Sequence, residues 1–188
     1  MFYSIVRFIA NFILRILYRV DVRGVENVPL EGKFILCSNH SSNWDPLFIS
    51  IVFPRQISWM GKKELFRNKV LSKFLLKLGV IPVDRGDSDI SAIKNSLRIL
   101  KNGGVLGIFP EGTRVQSYDL ANVKPGVALL TVKSKSLVVP VNIASNYKLF
   151  SKVKINIGKS IDFSLDEEQT KDYSEISKNI LISIYQLK

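Results

Sequence analysis

The 188-residue chain is 46% hydrophobic and carries a formal net charge of +11, and its length suits one domain with a substantial core. One cysteine excludes an intramolecular disulfide, and one histidine excludes the usual zinc ligand sets. We therefore predict a protein of a reducing compartment that uses no transition metal. The positive excess suits nucleic acid, an anionic membrane or a small phosphorylated ligand.

The first 20 residues predict an amphipathic helix. Arg7, Asn11, Arg15 and Arg19 recur at every fourth position and form one polar stripe, whereas the other faces are mainly aliphatic or aromatic. No charge-free stretch approaches the roughly 20 residues that cross a bilayer, and unpaired arginines suit anionic headgroups. A secretory signal is the alternative, but polar residues interrupt the apolar region and no small-residue cleavage site follows. We therefore assign residues 1–20 to a helix that lies in the membrane interface.

Strand-like and helix-like patterns alternate in the rest of the chain. Short apolar runs predict strands at 34–38, 57–61, 80–83, 105–109, 137–143 and 153–157. Helical patterns occupy 46–53, 88–101, 125–133 and 166–186, and a basic amphipathic stretch at 66–78 is either an ordinary surface helix or a second membrane contact. This alternation predicts one α/β domain with a largely parallel, mixed sheet flanked by helices. In such sheets ligand sites gather where the strands end.

The only histidine, His40, lies just past the first of these strands. Histidine is the side chain best suited to acid–base chemistry near neutral pH, and Asp45, five residues later, could hold the imidazole in one tautomer. The alternatives are that His40 is a polar residue at a strand end and that Asp45 is the N-cap of a helix with Pro46 at its first position. Cys37 is a candidate nucleophile, although its place within the apolar strand favours burial.

Two further loops carry polar groups directly after predicted strands. Arg85 follows one strand, and the hexapeptide Phe-Pro-Glu-Gly-Thr-Arg ends another at Arg114. Gly112 lets backbone amides approach a ligand, Thr113 adds a hydroxyl, and the arginine can bind a phosphate through two parallel hydrogen bonds. Glu111 is unfavourable beside a phosphate, so it contacts a substrate hydroxyl or holds the arginine. The hexapeptide alone fits a plain turn equally well.

Taken together, four motifs in this order resemble those of the glycerolipid acyltransferases, and most closely those of the PlsC-type 1-acyl-sn-glycerol-3-phosphate acyltransferases. The resemblance extends from about Val22 to Ile143 and includes Lys62 in Gly-Lys-Lys-Glu-Leu. The motifs are His-Ser-Ser-Asn-Trp-Asp from His40, Gly-Val-Ile-Pro-Val-Asp-Arg to Arg85, Phe-Pro-Glu-Gly-Thr-Arg to Arg114, and Val-Val-Pro-Val at 138–141.

The resemblance implies a role for each matching residue. His40 is the general base that removes the proton of a glycerol hydroxyl, and Asp45 orients it. The alkoxide attacks the thioester of an acyl donor directly, without an acyl-enzyme. Val115 departs from the family pattern, which often has serine at this position. The resemblance implies that the glycerol phosphate is bound by Lys62, Arg85, Glu111, Gly112, Thr113 and Arg114.

The resemblance also implies a substrate and a location. Residues 21–188 are the catalytic domain, and it acylates the sn-2 hydroxyl of lysophosphatidate to give phosphatidate. It works at the cytoplasmic face of the cell membrane, as a peripheral or monotopic protein. Acyl-CoA or acyl carrier protein is the co-substrate, and no cofactor or metal is needed.

Three other functions are weighed against this one. One is the acylation of glycerol 3-phosphate or another lysophospholipid. Another is a non-catalytic phospholipid-binding protein of the membrane surface, which would not need a base beside a carboxylate. Nucleic-acid binding is disfavoured, because aliphatic residues separate the basic ones and no nucleic-acid motif occurs.

Overall fold

A computed structural model describes residues 1–84, 89–163 and 172–188. The helices in these ranges are α1 (Phe2–Leu17), α2 (Asp45–Val52), α3 (Lys69–Lys77), α4 (Ile90–Lys101), α5 (Gly126–Ser134) and α6 (Tyr173–Tyr185). The strands are β1 (Arg19–Arg23), β2 (Phe34–Ser38), β3 (Ile57–Lys62), β4 (Ile81–Val83), β5 (Val105–Ile108), β6 (Leu137–Ala144) and β7 (Lys152–Ile157). The start of the last predicted helix, 166–171, lies outside the described residues.

The seven described strands form one mixed sheet in the order β1-β7-β6-β2-β5-β3-β4. Neighbours are parallel except β6 and β7, so β1 and β7 run opposite to the other five strands. This confirms the predicted single α/β domain with a largely parallel sheet. Strand β1 was not predicted, because its first two residues were assigned to the helix at 1–20, where Arg19 continues the spacing of the polar stripe, and only 21–23 then remain as an alternating run. Helix α1 ends at Leu17 because the next residue, Tyr18, is extended.

The core lies on both faces of the sheet. Phe34 and Leu36 of β2 belong to the cluster that meets α1 and α2, whereas Ile35 and Cys37 belong to the one that meets α4, α5 and α6. All four side chains are fully buried, as expected of a central parallel strand. Burial raises the pKa of the Cys37 thiol, so this cysteine is a core residue and a poor nucleophile.

Helix α1 packs against α2 through the first part of its polar stripe, since Arg7 and Asn11 are half-buried whereas Arg15 is exposed. The Arg7 guanidinium donates to the carbonyls of Ile51 and Pro54, at 3.4 and 3.3 Å, where it complements the C-terminal end of α2. Leu14 is buried in the core. The outward face is therefore apolar, the reverse of an ordinary surface helix. Its exposed members are Phe2, Ile5, Phe8, Ile9, Phe12, Ile13 and Ile16.

Helix α3 extends this exposed apolar surface. The Asn68 side chain accepts from the backbone N–H groups of Val70 and Leu71, so the helix begins at Lys69 rather than at the predicted residue 66. The rings of Phe2 and Phe74 meet edge to face at 5.9 Å, which joins the two helices. We call the exposed apolar residues of α1 and α3 the outer apolar surface; α3 contributes Val70, Leu71, Phe74 and Leu76. In the described part of the chain, no helix is long and apolar enough to cross a membrane.

Candidate active site

The pairing of β2 with β5 brings the first and third motifs together. Cys37 lies opposite Ile108 in the register, so His40 and Glu111, each three residues further on, leave the sheet side by side. The backbone N–H of His40 donates to Glu111 Oε2 at 2.9 Å, and the backbone N–H of Val115 donates to the His40 carbonyl at 2.8 Å. The main chain of His40 is thus held from both sides. The main-chain contact at Val115 needs no hydroxyl side chain.

The structure also brings Asp45 against the imidazole. Asp45 Oδ2 lies 2.9 Å from His40 Nδ1 and accepts from the backbone N–H groups of Ser41 and Ser42, at 2.8 and 2.7 Å. Because a carboxylate only accepts, Nδ1 carries the proton and Nε2 keeps its lone pair. Asp45 is not the predicted N-cap, since it is the first residue of α2 and its carboxylate turns back onto the preceding loop. Pro46 lies in the first turn, as expected.

A stack of three rings fixes the plane of the imidazole. Phe109 lies on His40 with centroids 3.9 Å apart and an interplanar angle of 15°, and Trp59 lies on Phe109 at 4.9 Å and 12°. The Trp59 indole N–H donates to Ser50 Oγ at 2.9 Å. A Cβ at Gly107 would lie 2.5 Å from the indole, so this glycine makes room for the stack. In the sequence, the only sign of this ring stack is a glycine inside a predicted strand.

Two tyrosines that the sequence reasoning missed hold the two carboxylates. The Tyr147 hydroxyl donates to Asp45 Oδ1, and the Tyr185 hydroxyl donates to Glu111 Oε1 at 2.7 Å. Burial, together with the neighbouring carboxylate, raises the pKa of both phenols, and burial also raises the pKa of Glu111. Neither tyrosine lies in a motif, so only the three-dimensional arrangement could reveal them. In the described ranges, no group of three or more histidine, cysteine, aspartate or glutamate side chains could hold a metal.

Glu111 faces the protein interior. It is 1% exposed, and its two oxygens are engaged by His40 and Tyr185. The structure therefore gives it the task of holding the loop that carries His40. A contact with a substrate hydroxyl stays a prediction.

The third motif presents its other side chains to solvent. Gly112 adopts a left-handed backbone conformation, with φ at 67°, and Thr113 and Arg114 are exposed. Arg114 makes no hydrogen bond or ion pair with any described residue. The Lys124 side chain passes close to Gly112, so that its Cγ would lie 3.1 Å from a Cβ there. Lys124 is therefore a further basic group beside the motif, which the sequence reasoning missed.

Two residues that the sequence predicts as phosphate contacts remain, Lys62 and Arg85. Lys62 is the last residue of β3, is half exposed and pairs with Glu64 at 3.3 Å. Strand β5 separates β3 from β2 in the sheet. Arg85 lies outside the described residues.

Two cavities border the ring stack. The first, of about 430 Å³, lies against α4 and α5 and is lined near the site by Phe109, Pro110 and Gly112. The second, of about 280 Å³, lies between α1, α2, β3 and α3 and includes Asn43 and Trp59. Most of the side chains that line both cavities are apolar, as in pockets for hydrocarbon groups.

Comparisons with known proteins agree with these motifs. A family model described as Acyltransferase matches residues 19–144. The 1-acyl-sn-glycerol-3-phosphate acyltransferase of Bacillus subtilis is 37% identical over 142 residues, which cover 73% of this chain and 70% of the relative. That of Streptococcus pneumoniae is 30% identical over 176 residues, which cover 87% of this chain and 64% of the relative.

A solved structure agrees as well. The 1-acyl-sn-glycerophosphate (LPA) acyltransferase PlsC from Thermotoga maritima superposes with a TM-score of 0.74 at 26% identity, covering 97% of this chain and 79% of that one. The region that the family model matches begins at the first residue of β1 and ends at the last residue of β6. The chain belongs to the acyltransferase family.

Proposed function

We propose that the protein transfers a fatty acyl group from acyl-CoA or acyl carrier protein to the free sn-2 hydroxyl of lysophosphatidate, which gives phosphatidate. The observation that carries the proposal is the buried pair of His40 and Asp45, whose loop is hydrogen-bonded to the loop of Arg114, an exposed residue with no partner among the described residues. A base and a cation on adjoining loops suit an acceptor that has both a hydroxyl nucleophile and a phosphate. The names of the relatives from Bacillus subtilis and Streptococcus pneumoniae support the same substrate.

The reaction follows from the state of the imidazole. Nε2 of His40 accepts the proton of the sn-2 hydroxyl while Asp45 stabilises the imidazolium. The oxygen attacks the thioester carbonyl, a C–O bond forms and the resulting oxyanion collapses with cleavage of the C–S bond. The imidazolium then returns its proton to the thiolate that leaves. Atoms and charges balance without any covalent bond to the protein.

The acceptor's phosphate is bound by the third motif. Arg114 extends into solvent from the loop that also holds His40, and Lys124 lies next to Gly112. A guanidinium without a partner in the described part of the chain can form two parallel hydrogen bonds with a phosphate. Lys62, Thr113 and Arg85 are proposed as additional contacts.

The acyl chain of the donor occupies the first cavity. Its wall includes Phe109, whose ring lies on that of His40, and this shared residue supports the placement. The deeper walls are formed by α4, α5 and the sheet. The side chains that make them apolar include Met60, Ile93, Ile108, Leu129 and Leu130.

The protein works on the surface of an anionic membrane. The outer apolar surface is wide and continuous, and soluble monomers rarely expose such an area. Arg15 and Arg19 remain exposed at its margin, and Lys69, Lys73 and Lys77 follow the same spacing along α3. Each basic group contributes about 1 kcal/mol near an anionic surface. We place the protein on the cytoplasmic face of the cell membrane, in peripheral or monotopic association.

The decisive experiment is a panel of acceptors crossed with two donors. Purified protein in mixed micelles is offered lysophosphatidate, glycerol 3-phosphate and lysophosphatidylcholine, each with acyl-CoA and with acyl carrier protein thioester. We expect phosphatidate from lysophosphatidate as the fastest product. His40→Ala is the control, and we expect it to lose turnover while it still sediments with anionic vesicles.

Each alternative has its own signature in this panel. Faster turnover of glycerol 3-phosphate would move the proposal to that acceptor. Binding of lysophosphatidate without turnover by any donor would indicate a phospholipid-binding protein. Equal rates for the wild-type protein and His40→Ala would exclude His40 as the base.

A further inference from the structure

We propose that Tyr147 is a positioning residue of the His40 and Asp45 pair, and that its hydroxyl controls how strongly Asp45 holds the proton of the imidazole. The kinetic part of this inference rests on the proposed function, whereas the state of the imidazole can be measured without any substrate. Tyr147 lies in the loop between β6 and β7, beyond the region that the family model matches.

The argument begins with the hydrogen bonds of Asp45. Its carboxylate is fully buried and has four hydrogen-bond donors among the described residues. Three of them, His40 Nδ1 and two backbone N–H groups, meet Oδ2, whereas Tyr147 alone meets Oδ1. The two backbone donors belong to the short loop that joins His40 to Asp45, whereas Tyr147 is 102 residues away from Asp45 in the chain. The hydroxyl also lies 3.4 Å from Ser41 Oγ, but it is the one donor that a single substitution can remove while the backbone hydrogen bonds of that loop to Asp45 stay in place.

The phenol is held in place by its own surroundings. Tyr147 adopts a left-handed backbone conformation with φ at 56°, which is uncommon for a residue with a large side chain. Its N–H donates to Ser145 Oγ at 3.0 Å, and its ring packs on Phe48 with centroids 6.2 Å apart. This conformation persists because neighbouring contacts support it, and the result is a hydroxyl directed at Asp45.

The chemistry of this contact gives the direction of the effect. Burial and the Asp45 carboxylate raise the pKa of Tyr147, so the phenol remains a donor at every pH at which the enzyme works. A donated hydrogen bond spreads the charge of the carboxylate and weakens it as an acceptor. Without that bond, Asp45 stabilises the imidazolium more strongly, and more of the base is already protonated at neutral pH.

Other titratable groups surround the pair and must be kept constant. Glu111 touches the backbone N–H of His40, and Tyr185 in turn touches Glu111. Tyr18 supplies a matched control, because it also packs on Phe48, at 5.1 Å. Its hydroxyl lies 3.5 Å from the Tyr147 carbonyl, so it contacts the same loop without touching Asp45.

The test uses the fact that His40 is the only histidine. Full-length protein labelled with ¹⁵N-histidine gives the resonances of one imidazole, and its titration is followed in detergent micelles for the wild-type protein, Tyr147→Phe and Tyr18→Phe. We expect the midpoint in Tyr147→Phe to rise by at least about 0.5 pH unit, a threefold change in proton affinity. Tyr18→Phe should titrate as the wild-type protein does. An unchanged or lowered midpoint in Tyr147→Phe overturns the proposal.

Kinetics with lysophosphatidate form the second arm. We expect Tyr147→Phe to lower kcat by up to about threefold at pH values below the midpoint, the same factor as the change in proton affinity, with KM unchanged and the acidic limb of the pH profile moved to higher pH. Circular dichroism verifies that each variant folds. Lower kcat with an unmoved acidic limb would reduce Tyr147 to a structural residue and overturn the proposal. If the wild-type protein does not turn over lysophosphatidate but the imidazole shift is seen, the proposed function fails and the role of Tyr147 stands.

Discussion

The surroundings of His40 and the outer apolar surface differ in how far their side chains are satisfied by contacts within the chain. Around His40, the two buried carboxylates are bonded through both oxygens to named donors. On the outer apolar surface, side chains such as Phe8, at 73% exposed, and Phe12, at 63%, have little protein contact. In the first region the described residues satisfy one another, whereas the second suits the apolar partner that we propose, a membrane surface.

This difference separates the two tasks of the molecule. A buried carboxylate without its donors is costly, so the region around His40 tolerates few changes. The free energy of the membrane binding that we propose for the outer apolar surface comes from many similar side chains. We therefore expect binding to persist after single substitutions and to be lost when several are made together. The four predictions below test this separation, beginning with the largest expected effect.

Asp45→Asn removes the negative charge of the side chain but preserves its size and its hydrogen-bonding positions. The amide oxygen can accept the three donors now at Oδ2, and the amide nitrogen can donate to the Tyr147 oxygen. We expect a fall in kcat of about 10²-fold or more, because the imidazolium loses its counter-charge. Steady-state kinetics and vesicle sedimentation together provide the measurement. Loss of vesicle binding would show that the two regions are not separate.

Replacing Phe8 and Phe12 together with serine tests the outer apolar surface. We expect partitioning onto anionic vesicles to weaken about 30-fold, from the loss of roughly 1 kcal/mol at each position. Turnover of a short-chain, water-soluble acceptor should not change. Leu30→Ser is the matched control, since Leu30 is 73% exposed but lies outside this surface. Equal weakening by the control would contradict the assignment of this surface.

Arg114→Ala tests the phosphate contact. We expect KM for lysophosphatidate to rise about tenfold, as for loss of a charge-assisted hydrogen bond. Turnover of lysophosphatidylcholine, whose phosphate is a diester and not a monoester, should change less. Lys133→Ala, on α5 away from the motif, controls for the loss of one positive charge. An equal rise in KM with both acceptors would remove Arg114 from the phosphate site.

Tyr185→Phe has the smallest expected effect, on stability. We expect the free energy of unfolding to fall by about 1–2 kcal/mol. Burial raises the pKa of Glu111 and the Tyr185 hydrogen bond lowers it, so the variant raises it further. A folded carboxyl with a raised pKa binds its proton more tightly than the unfolded one, so stability falls as the pH rises. The deficit of the variant should therefore grow above pH 4.5, the ordinary value for glutamate. Chemical unfolding at several pH values measures it, and a deficit independent of pH would contradict this account.

Sequence reasoning was most successful where the pattern is local. The apolar run 34–38 predicts β2 to the residue, and the spacing of His40 and Asp45 names the pair that the structure brings into contact. It failed where partners are distant in the chain, since nothing local marks Tyr147 or Tyr185. It also did not reveal how α1 packs on the domain, because the interaction of Arg7 with the end of α2 depends on the tertiary packing.

The end of α1 has a practical consequence for protein engineering. The carbonyl of Leu17 accepts the N–H of Phe150 at 2.7 Å, and Phe150 belongs to the loop that carries Tyr147. Leu14 and Tyr18 are buried in the core as well. Deletion of the first helix would therefore damage the support of Asp45 together with the proposed lipid contact. A water-soluble form should be sought by replacing the exposed apolar residues of the helix with polar ones, while its buried residues and its last turn are left unchanged.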